Sequence, residues 1–281
     1  MPSVLSIQSR VAYGHVGNAA ATLPLQLLGC EAWTLDTVLF SNHTGHGRWR
    51  GNVVPASEVA AVFEGVADLG VLPECDAVLS GYLGEAATGA VLIDAVDRIK
   101  RANPAAVFCC DPVMGDIDSG LYVRAGLPEF FRDTALPAAD IATPNRFELE
   151  WLTGEAVTSL PQALAAAERL RRTGPDVVLI TSLDTATDHI GMVAVGPAGA
   201  WLAETPRLPL VLNGCGDVTA AVFLARLLRG DPLPQALGAT MAGVFAVLET
   251  TLRLGRRELA LVPAQAELAT PSRVVEARRI A

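Results

Sequence analysis

Short apolar runs of strand length recur at Val4–Ile7, Ala77–Leu79, Val107–Cys110, Ile141–Ala142 and Val177–Ile180. Each is followed by a turn and usually by a stretch with helical spacing. That alternation predicts a parallel sheet covered by helices on both faces. The helices are predicted at Ala19–Leu28, Ser57–Leu69 with Ser57 as N-cap, Thr88–Arg101, Arg146–Leu152 and Leu160–Arg172. Further along, His189–Val195 and Ala200–Glu204 read as a hairpin around Pro197 and Gly199, and two Ala/Leu-rich helices follow from Asp217 and Gln235. An antiparallel edge is therefore expected after the parallel core of an α/β fold. No repeat, low-complexity tract or long Pro/Gly/Ser linker breaks the chain, so residues 1–281 are expected to form one domain.

Composition narrows the partners. With 21 basic against 30 acidic residues the formal charge is −9, which opposes binding to a polyanion and argues against nucleic acid. A small phosphorylated ligand stays compatible, because magnesium and a few backbone amides can hold phosphate on an acidic protein. The start, Met1–Ser9, has no basic, apolar and small-residue order of an export signal and reads as a strand. The nearest approach to a membrane span, Ala236–Leu248, is too short and ends at Glu249. A cytoplasmic protein with no membrane partner is expected. The five cysteines lack CxxC spacing, and free thiols in a reducing compartment fit their odd number.

In doubly wound sheets ligands bind beyond the carboxyl ends of the strands, which directs attention to the turns after Ile7, Leu79, Cys110, Ala142 and Ile180. The strongest local signal is Asn213-Gly214-Cys215-Gly216-Asp217 ahead of a helical run. Its amides can converge on an anion with the helix dipole behind them, and Asp217 can serve as a general base toward an alcohol. A plain turn capped by Asp217 would use the same residues. Asp111-Pro112-Val113-Met114-Gly115-Asp116 and Thr143-Pro144-Asn145-Arg146-Phe147-Glu148 put carboxylates where magnesium and phosphates could be held, or else are ordinary strand exits. Thr181-Ser182 could bond phosphate oxygens or simply end a strand. Phe40–Gly47 is a polar flap in which His43 and His46 lack the nearby cysteine or third ligand that zinc needs. Ser9 and Tyr82 occupy further strand-end positions, and Cys215 is expected to pack rather than to act as a nucleophile.

Taken in order, Gln8-Ser9 with Tyr13–Asn18, Phe40-Ser41-Asn42-His43-Thr44, Leu79–Gly84, Asp111–Asp116, Thr143–Glu148, Thr181-Ser182 and Gly214–Asp217 resemble the pyridoxal kinases of the ribokinase-like superfamily over nearly the whole chain. The resemblance implies a three-layer α/β/α sandwich. It implies that Asp217 deprotonates a 5′-hydroxyl while Gly214, Cys215 and Gly216 form an anion hole. The acceptor ring would lie against Ser9, Val38, Phe40, His43, Thr44 and Tyr82. ATP would lie near Asp111, Asp116, Tyr122, Thr143, Glu148, Thr181 and Ser182, with Asp111 and Glu148 closest to Mg2+. A monovalent cation such as K+ and a homodimer are implied by the resemblance alone. The chain departs from that pattern at Thr181, where many bacterial relatives carry a lysine, and at Cys215, where threonine or valine is more usual. The alternatives are a hydroxymethylpyrimidine kinase, which shares the chemistry, and a noncatalytic vitamer-binding protein.

Overall fold

The computed structural model describes residues 1–281. Twelve strands form: β1 (Ser3–Val11), β2 (Glu31–Phe40), β3 (Gly51–Val53), β4 (Ala77–Ser80), β5 (Val107–Cys110), β6 (Gly115–Asp116), β7 (Gly120–Leu121), β8 (Ile141–Ala142), β9 (Val177–Ala186), β10 (His189–Gly196), β11 (Gly199–Pro206) and β12 (Arg278–Arg279). Ten of them make one sheet in the order β12-β11-β10-β9-β8-β5-β4-β1-β2-β3, and β6 with β7 makes a small separate ribbon. The central strands from β2 to β9 run parallel. Both ends are antiparallel, through β3 on one side and β10, β11 and β12 on the other.

The period of two along each strand sorts side chains into two cores. Leu5, Ile7, Val78, Phe108, Cys110, Ala142, Val178 and Ile180 join one cluster, packed under the helices Ala56–Asp68, Ala87–Ala102, Arg146–Thr153 and Leu160–Arg171. Val4, Ala77, Leu79, Cys109, Ile141 and Leu179 point the other way, toward the helices Asn18–Leu27, Cys215–Leu228 and Leu233–Arg253. Burial on both faces explains why these strands are continuously apolar. The result is the expected three-layer α/β/α sandwich. The helix Leu233–Arg253 is long and apolar enough to cross a bilayer, yet Ala236, Leu237, Met241, Val244 and Val247 bury its apolar face in the second core.

Several local expectations change. Ser57 does not cap its helix; the helix begins at Ala56 behind Pro55, so Ser57 lies inside its first turn. The helix expected from Asp217 begins two residues earlier, with Gly214 at the cap position in the left-handed region, and Asp217 sits in the first turn. Thr181 and Ser182 do not end a strand. β9 continues to Ala186, because the register against β10 slips between Gly191 and Val193 and leaves an extra residue on β9. Ser182, with φ 58, takes up that β-bulge and is the sole non-glycine residue with positive φ. A second bulge lies at the opposite end of the cleft, where Ser9 stands against Thr37 and Val38 of β2. The terminal segment Arg273–Ala281 is largely exposed, but Arg278 and Arg279 pair with β11 as the last strand of the sheet.

Candidate active site

The carboxyl ends of the central strands open into two adjoining chambers of about 310 and about 370 Å³, each of a size that takes a small ligand. The first is lined by Asp111, Asp116, Tyr122, Thr143, Glu148, Thr181 and Ser182 together with Gly214, Cys215 and Gly216. The second is lined by Ser9, Val38, Phe40, His43, Thr44, Tyr82 and Asp217. The structure thus brings the sequence-derived residues together in the two groups expected of them. Val113, Asp116, Tyr122, Asn213, Gly214 and Asp217 face both chambers and form the wall between them. Sequence reasoning missed the outer side of the first chamber, built by Arg207, Leu208 and Leu210 and by Met241, Val244, Phe245 and Leu248. Those helix residues carry no signal that separates them from ordinary core.

Glycine fixes the wall. Gly214 has φ 88, and a Cβ there would collide with the carbonyl oxygen of His15, so only glycine lets the loop pass that close. The chain then enters the helix Cys215–Leu228, leaving the first-turn amides without intrahelical acceptors at the positive end of the dipole. Gly17 serves the opposite side, where a side chain would strike Ser9. A buried network steadies this corner. Ser6 Oγ donates to Asn18 Oδ1 at 2.7 Å, and Asn18 Nδ2 donates to Asp36 Oδ1 at 2.8 Å and to the Leu35 carbonyl at 3.0 Å.

On the far side, Asn145 and Glu148 close a reciprocal cap on the helix Arg146–Thr153. The Glu148 N–H donates to Asn145 Oδ1 at 2.9 Å and the Asn145 N–H donates to Glu148 Oε2 at 2.8 Å. Glu148 Oε1 accepts from the Met114 N–H at 3.0 Å, and Asn145 Nδ2 donates to the Gly115 carbonyl at 2.8 Å. One carboxylate therefore ties the strand-end loop after β5 to the helix after β8.

The electrostatics are those of crowded, poorly solvated acids. Burial raises the Asp111 carboxyl well above its usual range, and the neighbouring charges of Glu148 and Asp217 push it further. Burial likewise raises Glu148, against the pull of its backbone hydrogen bonds. Asp217 is pushed up to about 6 by burial, moderated by the N–H groups of Gly17 and of Asp217 itself. Asp111 Oδ2 is buried without a hydrogen-bond partner. Cys215 is pushed up to about 12 by burial and by the charge of Asp217, so its thiol is neutral near pH 7, in keeping with a packing role. Burial and the surrounding carboxylates raise Tyr122 too, which keeps it a neutral phenol.

The flap closes over the second chamber as a short turn, Thr44–His46, pinned by Asn42 Nδ2 to the Arg48 carbonyl at 2.8 Å. The third group that His43 and His46 lacked in the sequence is present here. Glu258, 212 residues beyond His46, presents Oε1 to His43 Nε2 at 2.9 Å and to His46 Nε2 at 2.7 Å. Burial alone would raise the Glu258 carboxyl, but its hydrogen bonds with His46 and His43 hold it below the usual value.

Residues 24–261 match the model of the phosphomethylpyrimidine kinase family, which sets the chain among kinases that act on small molecules. It is 54% identical to the pyridoxal kinase PdxY of Rubrobacter xylanophilus, over 99% of this chain and 98% of the relative. It is 50% identical to that of Deinococcus radiodurans, over 99% and 96%. The structure of a Leishmania donovani pyridoxal kinase in complex with ADP and pyridoxine superposes with a TM-score of 0.93 at 32% identity, covering 99% of both chains. The chain belongs to the pyridoxal kinase family.

Proposed function

We propose that the protein transfers the γ-phosphoryl group of ATP to the 5′-hydroxymethyl group of pyridoxal, with pyridoxine and pyridoxamine as further acceptors. The observation that carries this reading is the position of Asp217 and the Gly214–Asp217 turn in the wall shared by the two chambers. A base in that wall reaches an alcohol on one side and a phosphoryl group on the other. The vitamer takes the chamber of Ser9, Val38, Phe40, His43, Thr44 and Tyr82, and the nucleotide takes that of Asp111, Asp116, Tyr122, Thr143, Glu148, Thr181 and Ser182. The L. donovani enzyme, solved in complex with ADP and pyridoxine and close to this chain in fold, supports a nucleotide and a B6 vitamer as the two ligands.

The residues present fit a magnesium ion. The buried Asp111 Oδ2, without a hydrogen-bond partner and within reach of the charges of Glu148 and Asp217, is the kind of hard oxygen donor that magnesium takes. Asp111 would hold it directly, while Glu148, whose two oxygens already accept backbone N–H groups, would act through water. Bound there, magnesium neutralises phosphate charge and helps align the nucleotide. The amides of Gly214, Cys215 and Gly216 stabilise charge on the transferring group. Asp217 accepts the proton of the 5′-hydroxyl as its oxygen bonds to phosphorus and the bond to ADP breaks. The five free cysteines support a reducing, cytoplasmic setting. A homodimer and a K+ requirement rest on the family resemblance.

The test is ATP- and Mg2+-dependent turnover with pyridoxal, pyridoxine, pyridoxamine and hydroxymethylpyrimidine in parallel. Pyridoxal 5′-phosphate as the favoured product is expected. Product from the pyrimidine alone would move the chain to the kinase chemistry named by its family model, and tight vitamer binding without turnover would make it a carrier. The base also predicts a pH profile. Asp217 must be ionised, and burial pushes its carboxyl up to about 6 before a cation binds, so kcat/KM for the acceptor should fall about tenfold per pH unit on an acid limb that starts at or below about 6, magnesium moving it to lower pH. A profile with no acid limb at any Mg2+ concentration would remove Asp217 as the base.

A further inference from the structure

Three ligand-type atoms from two distant parts of the chain converge at the edge of the acceptor chamber, which His43 lines, and none of them belongs to the nucleotide chamber. One ring nitrogen of His43, one of His46 and a Glu258 carboxylate oxygen all lie within 4.8 Å of one another. The side chains are 12%, 23% and 11% exposed, sheltered yet reachable from solvent. The two imidazole rings stand 4.4 Å apart and 35° from parallel, and each presents Nε2 to the same carboxylate oxygen, Glu258 Oε1. We propose that His43, His46 and Glu258 form a divalent transition-metal site, separate from the magnesium site, that clasps the flap to the Glu258 segment.

The donor set selects the ion. Two imidazole nitrogens and one carboxylate oxygen suit Zn2+ and its neighbours in the first transition row, whereas an all-oxygen set would suit magnesium. Ligand atoms about 2.0–2.1 Å from a tetrahedral ion lie about 3.3 Å from one another. The distances of 2.9 and 2.7 Å from Glu258 Oε1 to the two rings require only a small opening of the cluster. The other carboxylate oxygen accepts the His15 N–H at 3.2 Å, an outer contact that orients the ligand. Water would complete the coordination. The ion would join the flap, the loop through His15 and the Glu258 segment, adding to their hydrogen bonds and to the contact of Tyr13 with the His46 ring.

The experiment uses the full chain freed of metal, without ATP or Mg2+, titrated with Zn2+ by calorimetry and with Co2+ by absorption. One equivalent is expected to bind, with tetrahedral Co2+ bands and no thiolate charge-transfer band. His46→Gln and Glu258→Gln should each weaken binding by at least about a hundredfold. In the wild type, Zn2+ should shift the ring resonances of His43 and His46 and leave His189 unmoved, a readout that does not depend on either variant folding. Absence of Zn2+ binding, equal binding by wild type and both folded variants, a thiolate band, or unmoved His43 and His46 resonances would each overturn the site.

Discussion

Asp217→Asn is expected to cut turnover by about 10²- to 10⁴-fold, the range spanned by loss of a positioned general base. Asparagine keeps the shape and the place in the first helical turn but cannot accept the proton. Nucleotide affinity should stay close to wild type, because the lining of the nucleotide chamber is otherwise unchanged. Folding raises the Asp217 carboxyl from its ordinary value to about 6, so ionising it costs the folded state stability as pH rises through that interval. Asparagine removes that cost, and the thermal midpoint at pH 7 should be equal to the wild type or higher. Turnover within a few-fold of wild type would dismiss Asp217 as the base; a fall in both activity and thermal midpoint would make it a structural residue.

Gly214→Ala should be nearly as damaging by a different route. The residue has φ 88, a region that costs an L side chain about 1–2 kcal/mol, and its Cβ would overlap the His15 carbonyl. Relief of that overlap must shift the loop or the chain at His15, so the amides from 214 to 216 lose their aim. Loss of one well-placed donor of this kind costs about 10²–10³ in kcat. The expected result is a kcat lower by at least that factor, with a reduced melting temperature. Cys215→Val is the informative control: it leaves the backbone amide in place, and activity should be largely retained. Wild-type activity in Gly214→Ala would show that the loop is free of the constraint described.

The parallel core was legible because strands covered on both faces must be apolar throughout, and Val107–Cys110 and Ile141–Ala142 fall at the residues the pattern marked. The Gly214–Asp217 turn was legible for a related reason: its conformational and chemical demands fall on adjacent residues. What escaped depended on partners. Thr181-Ser182 looks like a strand exit because both are polar, and only the slipped register of β10 shows that β9 runs on. β3 has three residues, too few for an alternation to register. Ser57 looks like a cap, but Pro55 already fixes the backbone where the helix starts. Glu258 sits among arginines and apolar residues with nothing local to mark it, and its meaning comes from histidines more than two hundred positions earlier.

That last contact also bears on the order in which the protein is made. The flap leaves the ribosome well before Glu258, and the proposed base, the anion-hole amides and the carboxylates proposed for magnesium have all been synthesised by residue 217. The carboxylate that fastens the flap, Glu258, arrives 41 residues later. A nascent chain interrupted between those points would hold the proposed reacting groups while the cover over its acceptor chamber stayed unfastened. Completion of the acceptor chamber is thus tied to synthesis of the chain through Glu258.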